Sequence, residues 1–369
     1  MRIGIDGREL INQRTGVGRY LSALCAEWLK SSNQLHEFFL YTPQKTDSIA
    51  ELGPPFDSAP SKVFTHKTVE GSANSWWEQI ALPRLVMADN VDVFFAPSYS
   101  APLRLKTPYV VTMHDISFSA HPEWFRWREG LRRRWLADWS MKQAASIITV
   151  SNFSKNEIMR LFDISEDRIH VIPHGIDTTL QKNDSERENL VLYVGSIFNR
   201  RHLPTLIHAF SKVVPEIKNV KLAIVGANRT YPWQDLNAMI VKHNIEQHVQ
   251  LDAYVSDSAL RALYERAKVF VFLSEYEGFG LPPLEALTAG VPTIVGDSSV
   301  AREIYGNASL FVSPRDINAV TTAMINLLTD DPLRKRQTLN AASLLKSFNW
   351  ATAAADTLEL LERTSQINK

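Results

Sequence analysis

The sequence predicts an α/β protein made of two doubly wound, parallel-sheet domains that face each other across a cleft. Three observations predict it. Short apolar runs alternate with longer helix-forming stretches along most of the chain, which is the pattern of strand–helix–strand units and parallel sheet. The alternation breaks at one polar stretch, TTLQKNDSEREN over 178–189, and then restarts. The length of 369 residues suits about two domains.

In the first half, RIGID (2–6), EFFLYT (37–42), VDVFFAP (91–97), YVVTMHD (109–115), SIITVS (146–151) and HVIPHGID (170–177) read as strands. Helices are expected near 17–31, 77–89, 122–144 and 152–162. After the polar stretch, strands are expected at LVLYVGS (190–196), KLAIVGA (221–227), VQLDAYV (249–255), VFVFLS (269–274) and PTIVGD (292–297). The last 50 or so residues read as mostly helical, and Trp350 opens the final segment. Ligands of doubly wound folds bind at the carboxyl ends of the strands, so the turns that follow these strands are the candidate sites.

The turn EYEGFGLPPLE, 275–285, follows an apolar strand and precedes a helix that LEALTAG ends at Gly290. Pro282 and Pro283 suit a first helical turn, where a missing N–H costs least. A glycine turn at a helix start offers N–H groups and a positive dipole end to an anion. The carboxylates Glu277 and Glu285 suit neighbouring hydroxyl groups instead. A ligand that is part phosphate and part polyol, such as a nucleotide sugar, meets both needs.

Three other turns carry candidates. RTGVGRY, 14–20, opens a helix with Gly16 and Gly18; it reads as a close-approach loop or as a flexible turn, and it is not the G-x-G-x-x-G of dinucleotide binding. MHDISF, 113–118, puts His114 and Asp115 at a strand end, where the histidine either meets a substrate or satisfies a loop. GSIFNRRHLPTL, 195–206, places Arg200 and Arg201 before a helix, and guanidinium forks bind phosphate oxygens. A turn explains His174 adequately, and core packing explains Cys25. The segment 121–143 combines Arg126, Arg128, Arg132, Arg133 and Arg134 with Trp124, Trp127, Trp135 and Trp139. It suits an anionic membrane surface, or a domain helix whose tryptophans pack inward.

Composition excludes other classes. Forty basic residues balance forty acidic ones, so no overall field favours nucleic acid. Cys25 is the only cysteine, which rules out an internal disulfide and fits a reducing compartment. MRIGIDGREL is too polar for a signal peptide, and no apolar stretch is long enough to span a bilayer. The sequons at 152, 228 and 307 then read as chance. There is no D-x-D pair, H-E-x-x-H, Cys/His cluster or G-x-S-x-G elbow, so neither a metal site nor a serine nucleophile is supported.

With these residues in hand, the chain resembles the family 4 glycosyltransferases, retaining enzymes of the GT-B fold with two Rossmann-like domains. The resemblance rests on Glu277-GFGLPPL-Glu285, EALTAGVPTIVGD, Glu303 and GNASLFVSP. In the first half, TGVGRY, WWEQIALP, FFAPSYSAP, MHDISF with HPEW, and VSNFS resemble the bacterial subgroup that builds O-antigen and related polysaccharides. It implies an acceptor-side domain over 1–177, with a helix near 350–369 packing back on it, and a nucleotide-sugar domain over 178–349. Glu277 is then expected at donor-sugar hydroxyls, Glu285 at the ribose, and the amides of Phe279, Gly280 and Leu281 at the diphosphate. Arg200 and Arg201 match the Arg-Lys of the family's R-K-N turn, Gly16 and Gly18 line the diphosphate's other side, and His114 sits near the transferred sugar. Two positions depart from the pattern: Ser196 stands where many members carry arginine, and Arg201-His202 replaces Lys-Asn.

The implied activity is a retaining, metal-independent hexosyl transfer, with the nucleotide sugar as co-substrate and no cofactor. The subgroup points to GDP-mannose as donor, with UDP-glucose or another UDP-hexose as the alternative. The acceptor it points to is a growing glycan on a polyprenyl diphosphate, met by a cytoplasmic protein at the inner face of the membrane. A catalytically silent nucleotide-sugar-binding module or partner subunit is the alternative of another class. If the metal-independent reading holds, transfer persists in saturating EDTA. Activity lost to EDTA and restored by Mn²⁺ or Mg²⁺ overturns it.

Overall fold

The computed structural model describes residues 1–11, 16–30, 36–43, 48–58, 63–68, 76–177 and 186–367. The chain divides into two compact units: Met1–Ala120 with Trp127–Gly175 and Asn349–Lys369, and His121–Arg126 with Ile176–Phe348. Of the polar stretch 178–189, residues 178–185 lie outside the described residues.

The first unit holds β1 (Arg2–Asp6), β2 (Glu37–Thr42), β3 (Phe64–Thr68), β4 (Val93–Ala96), β5 (Tyr109–Met113), β6 (Ser146–Thr149) and β7 (Ile169–Val171). They form one parallel sheet in the order β3-β2-β1-β4-β5-β6-β7. β1 is central: Ile3 pairs with Phe38 on one side and Val93 on the other. The chain winds outward from β1 to β3, then returns to β4 and winds the other way. Between β1 and β4 the direction reverses, which opens a crevice at their carboxyl ends.

The second unit repeats the plan with β8 (Leu190–Val194), β9 (Lys221–Val225), β10 (Val249–Asp252), β11 (Val269–Phe272), β12 (Thr293–Gly296) and β13 (Ser309–Val312). Their order is β10-β9-β8-β11-β12-β13, so the reversal falls between β8 and β11. Both of these strands are buried along their whole length, as LVLYV and VFVF foretell.

Two strands escape the sequence reading. β3, FTHKT, buries only Phe64 and lies at the sheet edge, where polar residues are tolerated. β13, SLFV, is a four-residue edge strand with two partly exposed positions.

In the first unit Trp28, on the helix Gly16–Lys30, stacks on Phe38 at 5.2 Å, and Phe38 stacks on Phe64 at 4.9 Å. Cys25 on the same helix is fully buried. The helix Trp350–Ser365 sends Ala353, Ala354, Leu360 and Leu361 into this core. The indole N–H of Trp28 donates to the Ala354 carbonyl at 3.0 Å. Gly175 lets this helix start seat closely, because a Cβ there would lie 2.3 Å from the Trp350 nitrogen.

The stretch expected to be one helix over 122–144 is a short 3-10 turn, Pro122–Trp124, and then a helix, Trp127–Gln143. Gly130, Ala137, Ser140 and Met141 form its buried face. Its tryptophans do not pack inward: Trp127, Leu131, Trp135 and Trp139 are 71%, 62%, 53% and 40% exposed. Small residues on the inner face bring the backbone close to the domain and leave the large side chains outside.

Candidate active site

In the second unit, the candidate residues gather in the turns after β8 and β11. Gly195 ends β8 with φ +134°, and a Cβ there would meet the Arg201 guanidinium at 2.7 Å. The missing side chain is what lets Arg201 fold back under the turn. Arg200 and Arg201 sit in a 3-10 turn, Asn199–Arg201, closed by His202 in the left-handed region at φ +48°. The helix Leu203–Val213 follows, with Pro204 in its first turn.

The two arginines have different partners. Arg201 Nε donates to Glu277 Oε1 at 2.7 Å, and its Nη1 donates to the Ser196 carbonyl at 2.7 Å. The guanidinium also lies 4.8 Å from the Phe272 ring centroid. Arg200 Nε donates to the Tyr276 carbonyl at 3.1 Å, while the Arg200 carbonyl accepts from the Glu275 N–H at 3.0 Å. These bonds zip the turn after β8 to the turn after β11. The Arg200 guanidinium lies over Phe198 at 4.4 Å and 5.9 Å from Trp124, whose ring stacks on His121 at 3.9 Å. The HPEW stretch thus belongs to the second unit, although it precedes the domain break in sequence.

Burial works against the charge of Glu277, but Arg201, Arg200 and hydrogen bonds outweigh it and hold the carboxyl below its ordinary value. Ser274 Oγ donates one of those bonds at 2.8 Å. Burial likewise opposes the charge of Arg201, and Glu277 and Tyr193 raise it above the ordinary value. At neutral pH the pair is fully ionised.

Gly280 caps the helix Leu281–Thr288 in a left-handed conformation, φ +88°, with no side-chain cap. A Cβ at Gly280 would also meet the Tyr305 hydroxyl at 2.1 Å. That hydroxyl donates to the Gly280 carbonyl at 2.8 Å and fixes the turn. Because Pro282 and Pro283 lack N–H groups, Leu281 carries the only amide among the first three helical positions. The prolines therefore focus the helix start on Gly280 and Leu281. Phe279 is buried edge-on against Phe348 at 5.3 Å. Glu285 lies on the helix itself, and its Oε2 accepts from the Tyr264 hydroxyl at 3.0 Å. Tyr264, Ser274 and Tyr305 were not singled out from sequence. Tyr264 and Tyr305 act across the fold, where no local pattern marks them, and Ser274 acts within its own turn.

In the first unit, Gly16 opens the helix Gly16–Lys30 with open space at its Cβ position, and Gly18 is buried one half-turn on. The residues at 14 and 15 of RTGVGRY lie outside the described residues. His114 follows β5 and is 9% exposed. Its Nε2 lies 2.8 Å from the Pro97 carbonyl. A carbonyl only accepts, so Nε2 carries the proton and Nδ1 is the acceptor of the neutral ring. Burial pushes the His114 pKa down to about 4, against smaller upward effects of the Pro97 bond and Asp115. Asp115 itself accepts from the Ser117 N–H and hydroxyl and shapes the turn.

His174, which the sequence explains as a turn residue, stacks on His114 at 5.3 Å. Burial, and then His114, lowers it well below its ordinary value. Tyr20 packs edge-on to both rings at 4.9 Å. The cluster is uncharged at neutral pH and presents hydrogen-bonding atoms rather than a field. Among the described residues, no group of three or more His, Cys, Asp or Glu side chains could hold a metal ion.

With this geometry established, comparison with known proteins assigns the family. The sequence model for "Glycosyl transferases group 1" matches residues 176–344, and that for "Glycosyltransferase Family 4" matches residues 14–180. O-antigen chain mannosyltransferase B of Escherichia coli is 30% identical over 279 residues, 72% of this chain and 73% of that protein. O-antigen chain mannosyltransferase RfbU of Salmonella typhimurium is 29% identical over 254 residues, 69% of each. Among solved structures, HepE of Anabaena in complex with UDP and glucose superposes with a TM-score of 0.76 at 17% identity, covering 98% of this chain and 100% of that one. WaaG, a glycosyltransferase involved in lipopolysaccharide biosynthesis, gives 0.73 at 17% identity, covering 97% and 99%. The chain belongs to the family 4 glycosyltransferases and has the GT-B fold of two Rossmann-like domains. It is a hexosyltransferase with mannosyltransferase relatives of O-antigen synthesis.

The Arg201–Glu277 pair generates a stability prediction. Both side chains are nearly buried, at 10% and 13% exposure. Removing one partner strands the other charge at a cost of about 3–5 kcal/mol, whereas removing both costs less than the sum. Arg201→Met and Glu277→Gln, alone and combined, measured by urea unfolding, are expected to show this coupling. Additive single losses mean that the pair is not a unit.

Proposed function

We propose that the protein transfers mannose from GDP-mannose, with retention and without a metal, to a growing polyprenyl-diphosphate-linked glycan of a cell-surface polysaccharide. The observation that carries this reading is the position of its key residues. Arg200, Arg201, Glu277, Gly280 and Leu281 all lie in the turns after β8 and β11, the two strands that flank the reversal of the second sheet.

The chemistry follows from charge. Negative charge grows on the diphosphate as the glycosidic bond breaks, and the arginines with the uncapped helix start stabilise it there. One such group is worth about 3–4 kcal/mol in the transition state. Glu277, locked in its ion pair, suits accepting hydroxyls of the donor sugar rather than attacking as a nucleophile. Glu285 takes the ribose hydroxyls. Attack on the face from which the diphosphate departs, with a leaving phosphate oxygen taking the acceptor proton, gives retention without a protein nucleophile. In the first unit, the neutral His114 offers Nδ1 as an acceptor for a sugar hydroxyl, and Gly16 and Gly18 leave the backbone open to a phosphate. Mannosyltransferase relatives favour mannose. Similarity to a structure holding UDP and glucose supports UDP-glucose as the second reading.

The test pairs transfer with binding. Purified protein is offered GDP-mannose and UDP-glucose with a lipid-linked glycan acceptor, and the anomeric configuration of the product is read by NMR. An α-mannosyl product from GDP-mannose is expected. Glucosyl transfer supports the second reading, inversion overturns the mechanism, and donor binding without turnover makes the protein a silent module. Glu285→Ala is expected to weaken GDP binding by about 10- to 100-fold, since a hydrogen bond to a charged acceptor is worth ~1.5–3 kcal/mol. Unchanged affinity removes Glu285 from the ribose site.

The proposed acceptor also calls for membrane contact, although no helix among the described residues is long and apolar enough to cross a membrane. The helix Trp127–Gln143 supplies a surface for lying on one. Trp127, Leu131, Trp135 and Trp139 recur every four residues along its exposed side, and Arg128 and Arg132 lie beside them. Arg133 on the same helix pairs with Glu129 at 2.7 Å. Tryptophan sits well at the headgroup level, and each Lys or Arg adds about 1 kcal/mol at an anionic surface. Gln at 127, 131 and 135 is therefore expected to release the protein from anionic vesicles while its unfolding stays unchanged. Equal co-sedimentation of variant and wild type removes this helix from the membrane.

A further inference from the structure

The motifs DGR, WWEQ and SYS lie far apart in sequence, yet four of their residues meet in the first unit. Asp6 ends β1 and is 2% exposed. Arg8 Nε donates to Asp6 Oδ2 at 2.8 Å, and Arg8 Nη2 donates to Glu78 Oε1 at 2.8 Å. Glu78 lies in a π-helical turn, Trp77–Ala81, and is 5% exposed. The same Oε1 accepts from the Ser100 hydroxyl at 2.6 Å. Arg8 follows β1 and Ser100 follows β4, so the chain of contacts spans the reversal of the first sheet.

Ser100 closes the loop 97–100, which also cradles His114. The Pro97 carbonyl takes the Nε2 proton of His114, and the Tyr99 ring packs edge-on to it at 5.6 Å. Tyr99 itself is held at φ +49°, a conformation that costs an aromatic residue energy and persists only when its surroundings impose it. The Tyr99 N–H donates to the Thr112 carbonyl at 3.0 Å on one side, and Ser100 is tied to Glu78 on the other. Core packing alone needs no buried Asp–Arg–Glu chain, and a buried charge is kept at a cost in desolvation.

We propose that Glu78, clamped by Arg8, is a positioning residue for His114: through Ser100 it fixes the strained loop 97–100, which selects the Nε2–H tautomer and keeps Nδ1 as the acceptor. Its relevance to transfer rests on the reading of His114 as a group near the transferred sugar. Without the clamp, Tyr99 relaxes, the Pro97 carbonyl moves, and either ring nitrogen can carry the proton.

The test reads the tautomer directly. The protein has ten histidines, so ¹⁵N-histidine spectra are assigned for His114 by comparison with His114→Asn. Wild type is expected to show the Nε2–H form alone. Glu78→Ala and Ser100→Ala are expected to show a mixture, and Glu78→Gln, which keeps an acceptor for Ser100, to retain the wild-type form. Ser100→Ala carries the test if Glu78→Ala does not fold, because it leaves the Asp6–Arg8–Glu78 contacts intact. In turnover, Ser100→Ala is expected to lower kcat by roughly 10- to 100-fold with the donor KM unchanged, the size of a small misplacement. A folded Ser100→Ala that keeps the pure Nε2–H tautomer overturns the proposal. A shifted tautomer with undiminished kcat leaves the positioning intact and removes His114 from the reaction.

Discussion

A parallel sheet cannot be closed by hairpins. Each strand needs a crossover, the crossovers cover both faces, and a chain that begins in the middle must reverse once to fill the other side. The candidate site depends on that constraint, met twice. In the second unit the reversal falls between β8 and β11 and gathers Arg200, Arg201, Glu277 and the helix start at Leu281. In the first it falls between β1 and β4 and gathers Asp6, Arg8 and the loop 97–100, with His114 alongside at the end of β5. Because the strands on either side are almost wholly apolar and buried, the turns at their ends can carry charge without compromising the core.

Each reversal holds a buried arginine, but the charge balance differs. Arg201 answers Glu277, and Arg200 adds a second guanidinium, so these three side chains carry one surplus positive charge. Arg8 answers two carboxylates, and the balance there is negative or neutral according to the proton on Asp6. Burial raises Asp6 above its ordinary value despite Arg8, whereas Arg8 and its other donors draw Glu78 below its own against the effect of burial. The first arrangement keeps a surplus of positive charge in its turns, and the second does not.

Much of this was legible in the sequence. β8 and β11 are unbroken runs of β-branched and aromatic residues, and the Gly-Phe-Gly-Leu-Pro-Pro turn could only be a strand-to-helix joint with a focused helix start. The pairing of Glu277 with Arg201 was not legible, since 76 residues separate them and only the sheet order brings them together. The same holds for Tyr264 on Glu285, Tyr305 under Gly280 and Glu78 on Arg8, all of which depend on crossovers rather than on local pattern. His174 looked like a turn residue because its partner lies on another strand end. The tryptophans of 127–139 were ambiguous for a different reason. Helical period shows which residues share a face, but not which face the small Gly130, Ala137 and Ser140 turn towards the domain.

The helix Trp350–Ser365 gives the molecule an order of assembly. Ala353, Ala354, Leu360 and Leu361 belong to the core of the first unit, yet they follow all of the second in the chain. During synthesis, residues 1–120 emerge first and wait, with Trp28 lacking the carbonyl it donates to, until the second unit has been made. The second unit, whose body is one nearly continuous segment, can fold earlier. The first-made half is thus the last to be finished, and a ribosome that stops short of residue 350 releases a chain whose second unit is complete and whose first unit is open along one face.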